Sequence, residues 1–319
     1  MTSIQLAGQR VVFAFDGTDI PGNLRLRIQR GEAAGVLLFG ANVSSVSQVR
    51  SLTRRLQAIH RPPGLNVPLL VMTDQEGGQV KRLPGAPDRA PPQMTSTAIA
   101  HSEGGATART LLAAGVNVDL APVVDVARAG SQMEREGRSF GSSTSTVITR
   151  ARAFTAGLQG GGVAATAKHF PGFGAASANT DATAVVIRSS VATLRRIDEP
   201  PFTGARTKLV MVSSAVYPAL DDAPALLSRR VVTGELRGHL GFRGVTVTDS
   251  LNAGSLVRES SVLQRAVGAG DDLLLFTTYQ SSAHAVERLA KLLHAGRLDR
   301  RAAQAAVARI LALRSTLRR

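Results

Sequence analysis

The chain has 319 residues, 44% of them hydrophobic, no cysteine, no tryptophan and a formal net charge of +15. The lack of cysteine excludes disulfides, thiolate metal sites and thiol nucleophiles. Apolar runs too short to cross a bilayer, and a first ten residues without a signal-peptide core, predict a soluble cytoplasmic protein with no membrane span, although a chain trimmed of an export signal would read the same. The charge is carried almost entirely by arginine, since Lys81, Lys168, Lys208 and Lys291 are the only lysines. The arginines are scattered along apparent helices and aromatic residues make up only 4%. That pattern suits a solvated surface better than a nucleic-acid platform, which needs a continuous basic track and stacking rings.

Eight short apolar runs of strand type occupy residues 11–16, 35–40, 69–76, 116–123, 162–170, 209–214, 244–249 and 272–276. Between and after them, residues 46–59, 106–114, 146–157, 229–240, 257–269, 283–295 and 300–319 repeat apolar side chains at three- and four-residue spacing, as amphipathic helices do. Near-continuous apolar strands alternating with helices imply a parallel sheet covered by helices. Eight such repeats in one chain of this length predict a single α/β domain over residues 1–319, a (β/α)8 TIM-type barrel; an open doubly wound sheet is the alternative. The Pro-rich stretch 84–92 follows a strand and reads as a long loop over the barrel mouth rather than as an interdomain linker.

In such barrels chemistry sits where strands end. Those ends are polar here: Asp16, Asn42, Asp74-Gln75-Glu76, Asp125, Lys168-His169, Ser213-Ser214 and Asp249. They describe a pocket for a neutral, hydroxyl-rich ligand. Asp16 and Asp125 are read as structural, capping the helices that follow. Asp249 ends a β-branched strand, where an ionised carboxylate beside a hydroxyl (Thr248 or Ser250) can attack an anomeric carbon or stabilise positive charge on it. Asp74-Gln75-Glu76-Gly77-Gly78 places paired glycines after carboxylates, so the backbone can turn sharply and bring Arg82 back over the pocket. Lys168 and His169 are adjacent on a strand and would face opposite sides, so a local bend is expected if both meet the ligand.

These segments carry a resemblance. Phe15-Asp16-Gly17-Thr18, Asp74 to Gly78, Asn117-Val118-Asp119-Leu120-Ala121-Pro122, Gly137-Arg138-Ser139-Phe140-Gly141, Lys168-His169-Phe170-Pro171-Gly172, Val216-Tyr217-Pro218-Ala219 and Thr248-Asp249 run in order across nearly the whole chain. Together they resemble glycoside hydrolase family 3, and within it the single-domain bacterial β-N-acetylglucosaminidases (β-hexosaminidases). The resemblance implies that Asp249 is the nucleophile of a retaining reaction and that Asp74, Arg82, Arg138, Lys168 and His169 hold the terminal sugar. It implies no metal and no organic cofactor for that reaction.

The acid/base loop departs from the family pattern. There Phe173 replaces a His, Asn179 replaces the orienting Asp and Asp181 stands in place of the acid/base His. Elsewhere Ser214 replaces a His, Ser250 an acidic neighbour of the nucleophile and Ala253 a Met. Three readings remain open at this point. Asp181 takes over as acid/base; or Asp249 works in a repurposed glycosyl-transfer or lyase-type reaction; or the chain is a pseudoenzyme that binds a sugar with little turnover. A nucleic-acid binder driven by net charge is a fourth class, with no motif to support it.

Overall fold

A computed structural model describes residues 1–318. Eight parallel strands form the centre: β1 (Val11–Phe13), β2 (Gly35–Leu37), β3 (Leu70–Thr73), β4 (Val118–Asp119), β5 (Ala164–Phe170), β6 (Leu209–Val212), β7 (Val245–Ser250) and β8 (Leu273–Leu275). Each pairs with the next, and β8 pairs back onto β1 with Leu274 facing Val11, so the sheet closes into a barrel. The open doubly wound alternative is thereby excluded. Every strand lies inside an apolar run of the sequence or within one residue of it.

Alternation along these strands builds two packed layers. Val12, Leu37, Leu70, Met72, Val118, Leu209, Val247 and Leu273 belong to one buried cluster, which fills the barrel together with Ile310 and Leu313 of the last helix. Val11, Phe13, Val36, Val71, Val210 and Leu274 belong to a second cluster that packs against the surrounding helices. With both faces buried, the strands need no polar alternation, which is why they read as continuous apolar runs.

The helices follow the predicted periodicity with differences at their ends. The element expected at 106–114 runs over Thr97–Ala113, because Ser96 accepts a hydrogen bond from the Ile99 amide and starts it earlier. The one expected at 257–269 is confined to Val262–Ala269: Gly254–Leu256 forms a 3-10 turn, and Ser261 at the helix start has φ 53°. The helix Arg230–His239 is wound with i→i+5 hydrogen bonds, the Leu240 amide reaching the Glu235 carbonyl. The last helix spans Arg300–Ser315, and Arg319 of the expected stretch lies outside the described residues. Among the described residues no helix is long and apolar enough to cross a membrane.

Candidate active site

The first wall of the site follows β3. Gln75–Gly77 and Val80–Lys81 pair as a small antiparallel hairpin, turned by Gly77 at φ 97° and Gly78 at φ 59°. A Cβ on Gly77 would lie 2.5 Å from the Arg89 carbonyl oxygen, so both backbone angle and space demand glycine there. The Gln75 side chain ties down the returning strand, accepting from the amides of Arg82 and Leu83 and donating to the carbonyls of Leu83 and Ala86. The result brings Asp74, Glu76 and Arg82 to the same cavity, as the sequence predicts for Arg82.

A row of charges crosses the floor. Lys168 Nζ lies 2.7 Å from Asp74 Oδ1 and 2.6 Å from Glu76 Oε1. Arg138 grips Glu76 with two parallel bonds of 2.8 Å and approaches Glu136 at 3.4 Å. Arg82 reaches Asp74 Oδ2 at 3.8 Å. Burial pushes the Glu76 carboxyl up, but Lys168 and Arg138 more than offset it and bring its pKa down to about 2. Burial likewise disfavours the Lys168 ammonium, and Asp74 and Glu76 outweigh that, so the net shift is upward. Glu76 and Lys168 are thus held charged, and the row is oriented before any ligand arrives, with donors and acceptors fixed for hydroxyl and amide groups.

Lys168 and His169 both face this cavity. The chain bends where expected: pairing between β5 and β6 shifts register between Ala167 and Phe170, and the Lys168–His169 peptide is cis. Asp125 holds the imidazole. Its Oδ2 lies 2.8 Å from His169 Nδ1, and it also accepts from the His169 and Phe173 amides. Because a carboxylate oxygen accepts, Nδ1 carries the proton and Nε2 is left for the pocket. Asp125 is structural as expected, but it holds the His169 imidazole instead of capping a helix, and it is fully buried. Asp16 is exposed and lies away from the cavity. Asn42 spends its side chain on the Phe15 and Gly17 carbonyls and the Phe39 amide.

Asp249 stands at the tip of β7. Its Oδ1 accepts from the Ser250 amide at 2.8 Å and its Oδ2 from Ser214 Oγ at 3.5 Å. The hydroxyls anticipated beside it are engaged elsewhere, Thr248 Oγ1 with the Leu275 amide and Ser250 Oγ with the Asn252 amide. Removal from water pushes the Asp249 carboxyl above the usual range; His169 pulls it down and Asp181 pushes it up. Asp181 lines the same cavity but is exposed at its rim. Asn179 accepts from the Asp181 amide at 2.9 Å, so it shapes the loop backbone instead of orienting the Asp181 carboxyl. The loop is laced to the β7 side, Gly254 N–H donating to the Asp181 carbonyl and Ser255 N–H to that of Thr180. Phe173 packs the edge of its ring against His169, with centroids 5.6 Å apart.

The cavity is about 340 Å³, room for one sugar ring and its substituents. All seven residues assigned from the sequence (Asp74, Arg82, Arg138, Lys168, His169, Asp181 and Asp249) line it. Glu76, named in the sequence as part of the polar end after β3 but given no role there, is the acceptor shared by Lys168 and Arg138; it sits two residues after Asp74 and so on the same side of an extended chain. Asp119, given no role from the sequence, is buried and bonded through Oδ1 to the Gln75 amide at 3.0 Å.

Fold and site together define a carbohydrate-active barrel enzyme, with a fixed charged row on one side and a partly desolvated carboxylate on the other. The family model described as the glycosyl hydrolase family 3 N terminal domain matches residues 15–313. An uncharacterized secreted glycosyl hydrolase of Arthroderma benhamiae is 37% identical over 98% of this chain and 93% of its own. Among solved structures, a family 3 β-N-acetylglucosaminidase from Paenibacillus sp. str. FPU-7 is 31% identical with a TM-score of 0.92; the match covers 99% of this chain but only 62% of that one. A β-N-acetylhexosaminidase from Beutenbergia cavernae is 31% identical with a TM-score of 0.88 over 98% of both chains. The chain belongs to glycoside hydrolase family 3, and it is a glycosidase.

Proposed function

We propose that this glycosidase removes a terminal β-linked N-acetylglucosamine, or a closely related sugar, by a retaining mechanism. Asp249 is the nucleophile and Asp181 the general acid and base. The observation that carries this reading is the placement of both carboxylates on one cavity with the Lys168–Asp74–Glu76–Arg138 row. The row, with Arg82 and the free Nε2 of His169, binds the hydroxyls and the acetamido group. An Asp249 oxygen bonds to the anomeric carbon as the glycosidic bond breaks, and the leaving oxygen takes the Asp181 proton. Asp181 then takes a proton from water as the water oxygen displaces Asp249, which restores both groups.

A second reading has its own support. Asp181 is exposed and no other residue from 174 to 180 carries an acid that works near neutrality, so a sugar-binding protein with slow turnover fits the same pocket. Comparing an aryl N-acetyl-β-glucosaminide that has a good leaving group with a natural disaccharide separates the two. Wild type is expected to hydrolyse both, and Asp249→Asn to lose about 10⁴-fold or more on the aryl substrate. Asp181→Asn should lose about 10²–10⁴-fold on the disaccharide. On the aryl substrate it should release a burst of phenol followed by slow turnover that azide restores. Wild type that binds N-acetylglucosamine but turns over both substrates only slowly establishes the second reading. Sugar moved to an added acceptor in preference to water establishes a transferase.

A further inference from the structure

A second cluster of ligating side chains lies in the helical layer, outside the cavity just described. Glu199 begins the short helix Pro200–Gly204, in the crossover between β5 and β6. Glu235 and His239 lie on the helix Arg230–His239 that follows β6. Four positions apart on a helix with i→i+5 bonding, these two side chains stand nearly one above the other. One ligand atom from each of Glu199, Glu235 and His239 lies within 4.8 Å of the other two.

Glu199 is the unusual member. It has no exposed surface, and among the described residues neither carboxylate oxygen has a hydrogen-bond partner. A buried carboxylate left without bonds is strongly disfavoured unless a cation or a proton compensates it. Glu235 is differently placed: Arg195 holds it through bonds of 3.0 and 2.8 Å, and that arginine side chain is 44% exposed, free to swing towards water. His239 is exposed. The arrangement therefore has one fixed, unsatisfied anionic arm and two arms that can adjust.

We propose that Glu199, Glu235 and His239 form a binding site for a divalent cation of the zinc class. Two carboxylates and an imidazole are borderline ligands that suit Zn²⁺ better than the hard all-oxygen cations. Zinc bonds of roughly 2.0–2.2 Å place tetrahedral ligands about 3.4 Å apart, so the three atoms must close in modestly from their present spacing. The exposed His239 and the release of Arg195 from one Glu235 oxygen supply that movement, and water completes the coordination. The cation would pin the β5–β6 crossover to the next helix, a structural role separate from sugar chemistry.

Zinc alone, titrated calorimetrically into the full chain, tests this. Wild type is expected to bind one equivalent and to gain several degrees in Tm with zinc. His239→Ala, a surface change that leaves the core intact, should weaken that equivalent by at least about tenfold, and Glu199→Gln should abolish it. Hydrolysis of the aryl glycoside should be unchanged in His239→Ala. Wild type and His239→Ala that titrate alike overturn the proposal, since other surface histidines would then account for the zinc. So does wild type that neither binds zinc nor shifts in Tm, whatever the stability of Glu199→Gln.

Discussion

Asp119 shows how a residue that touches no ligand feels the site. It is fully buried, its Oδ1 accepts from the Gln75 amide, and its Oδ2 has no hydrogen-bond partner among the described residues. Burial raises its pKa to about 8; the Gln75 amide and Lys168 pull against that, while Asp74 and Glu76 add to it. Lys168 cannot neutralise a third carboxylate, because its bonds go to Asp74 and Glu76. In the folded chain Asp119 therefore keeps its proton at neutral pH, whereas in the unfolded chain it ionises near 3.8. The folded state binds the extra proton between those two values, so this residue's contribution to stability is full below about pH 4 and is lost as pH rises towards 8. Asp119→Asn retains the acceptor for Gln75 and removes the titration. Its unfolding free energy relative to wild type should improve steadily from pH 4.5 to 8, with a limiting slope of about 1.4 kcal/mol per pH unit, and its Tm should rise relative to wild type over the same range. A difference that stays constant across that range would show that Asp119 does not hold the proton.

Elements decide how a set of individually ordinary residues becomes a site. The eight strands were legible because a sheet buried on both faces leaves near-continuous apolar runs. The strand tips were legible because polar groups end those runs. Arg82 and the Lys168–His169 bend could be anticipated from glycine pairing and strand geometry. Asp125 and Glu76 could not be assigned their partners, because those lie 44 and 62 positions away and no local pattern records them. The truncated helix at 262–269 was equally hidden, since its apolar spacing continues through residues that the structure uses as turns.

The loop after β5 brings Asn179, Thr180 and Asp181 to the cavity. Its backbone is sewn to the 126–132 segment, with the Gly174 carbonyl accepting from the Arg128 amide and the Ala176 carbonyl from the Gln132 amide. The approach at Gly174 is so close that an added Cβ would lie 1.9 Å from the Val126 carbonyl oxygen. Gly174→Ala must therefore lift the loop and shift Asp181 relative to Asp249. A displacement of about 1 Å can cost about 10²-fold in rate. With Asp181 as the proposed acid, the loss should appear on the disaccharide and be much smaller in the burst on an activated aryl glycoside. Equal losses in both would mean that the loop positions the sugar itself and not the acid.

At the scale of the whole molecule the barrel separates its labour between two ends. The C-terminal ends of the strands hold the cavity, and the opposite end is closed by the last helix. Arg314 of that helix is completely buried. Its Nε donates to the Pro68 carbonyl at 2.7 Å and its Nη2 to the Val67 carbonyl at 3.1 Å, while Nη1 donates to Gln9 Oε1. Gln9 in turn donates to the Gly31 and Ala33 carbonyls. One guanidinium thus joins the segment entering β1, the segment entering β3 and the C-terminal helix, whose Ile310 and Leu313 plug the barrel. Arg314→Met keeps the length and apolar stem of the side chain but takes a donor from Gln9 Oε1 and from the Pro68 and Leu65 carbonyls, while the Val67 carbonyl keeps its bond from Arg61; each loss is worth about 1–3 kcal/mol. Because neighbouring losses overlap, a total of about 3–6 kcal/mol is expected, lowering Tm by roughly 10 °C or more. KM and kcat measured well below the transition should match wild type, since the charged row and Asp249 lie at the other end of the strands. A change in KM at low temperature would show instead that the base of the barrel is coupled to the geometry of the sugar pocket.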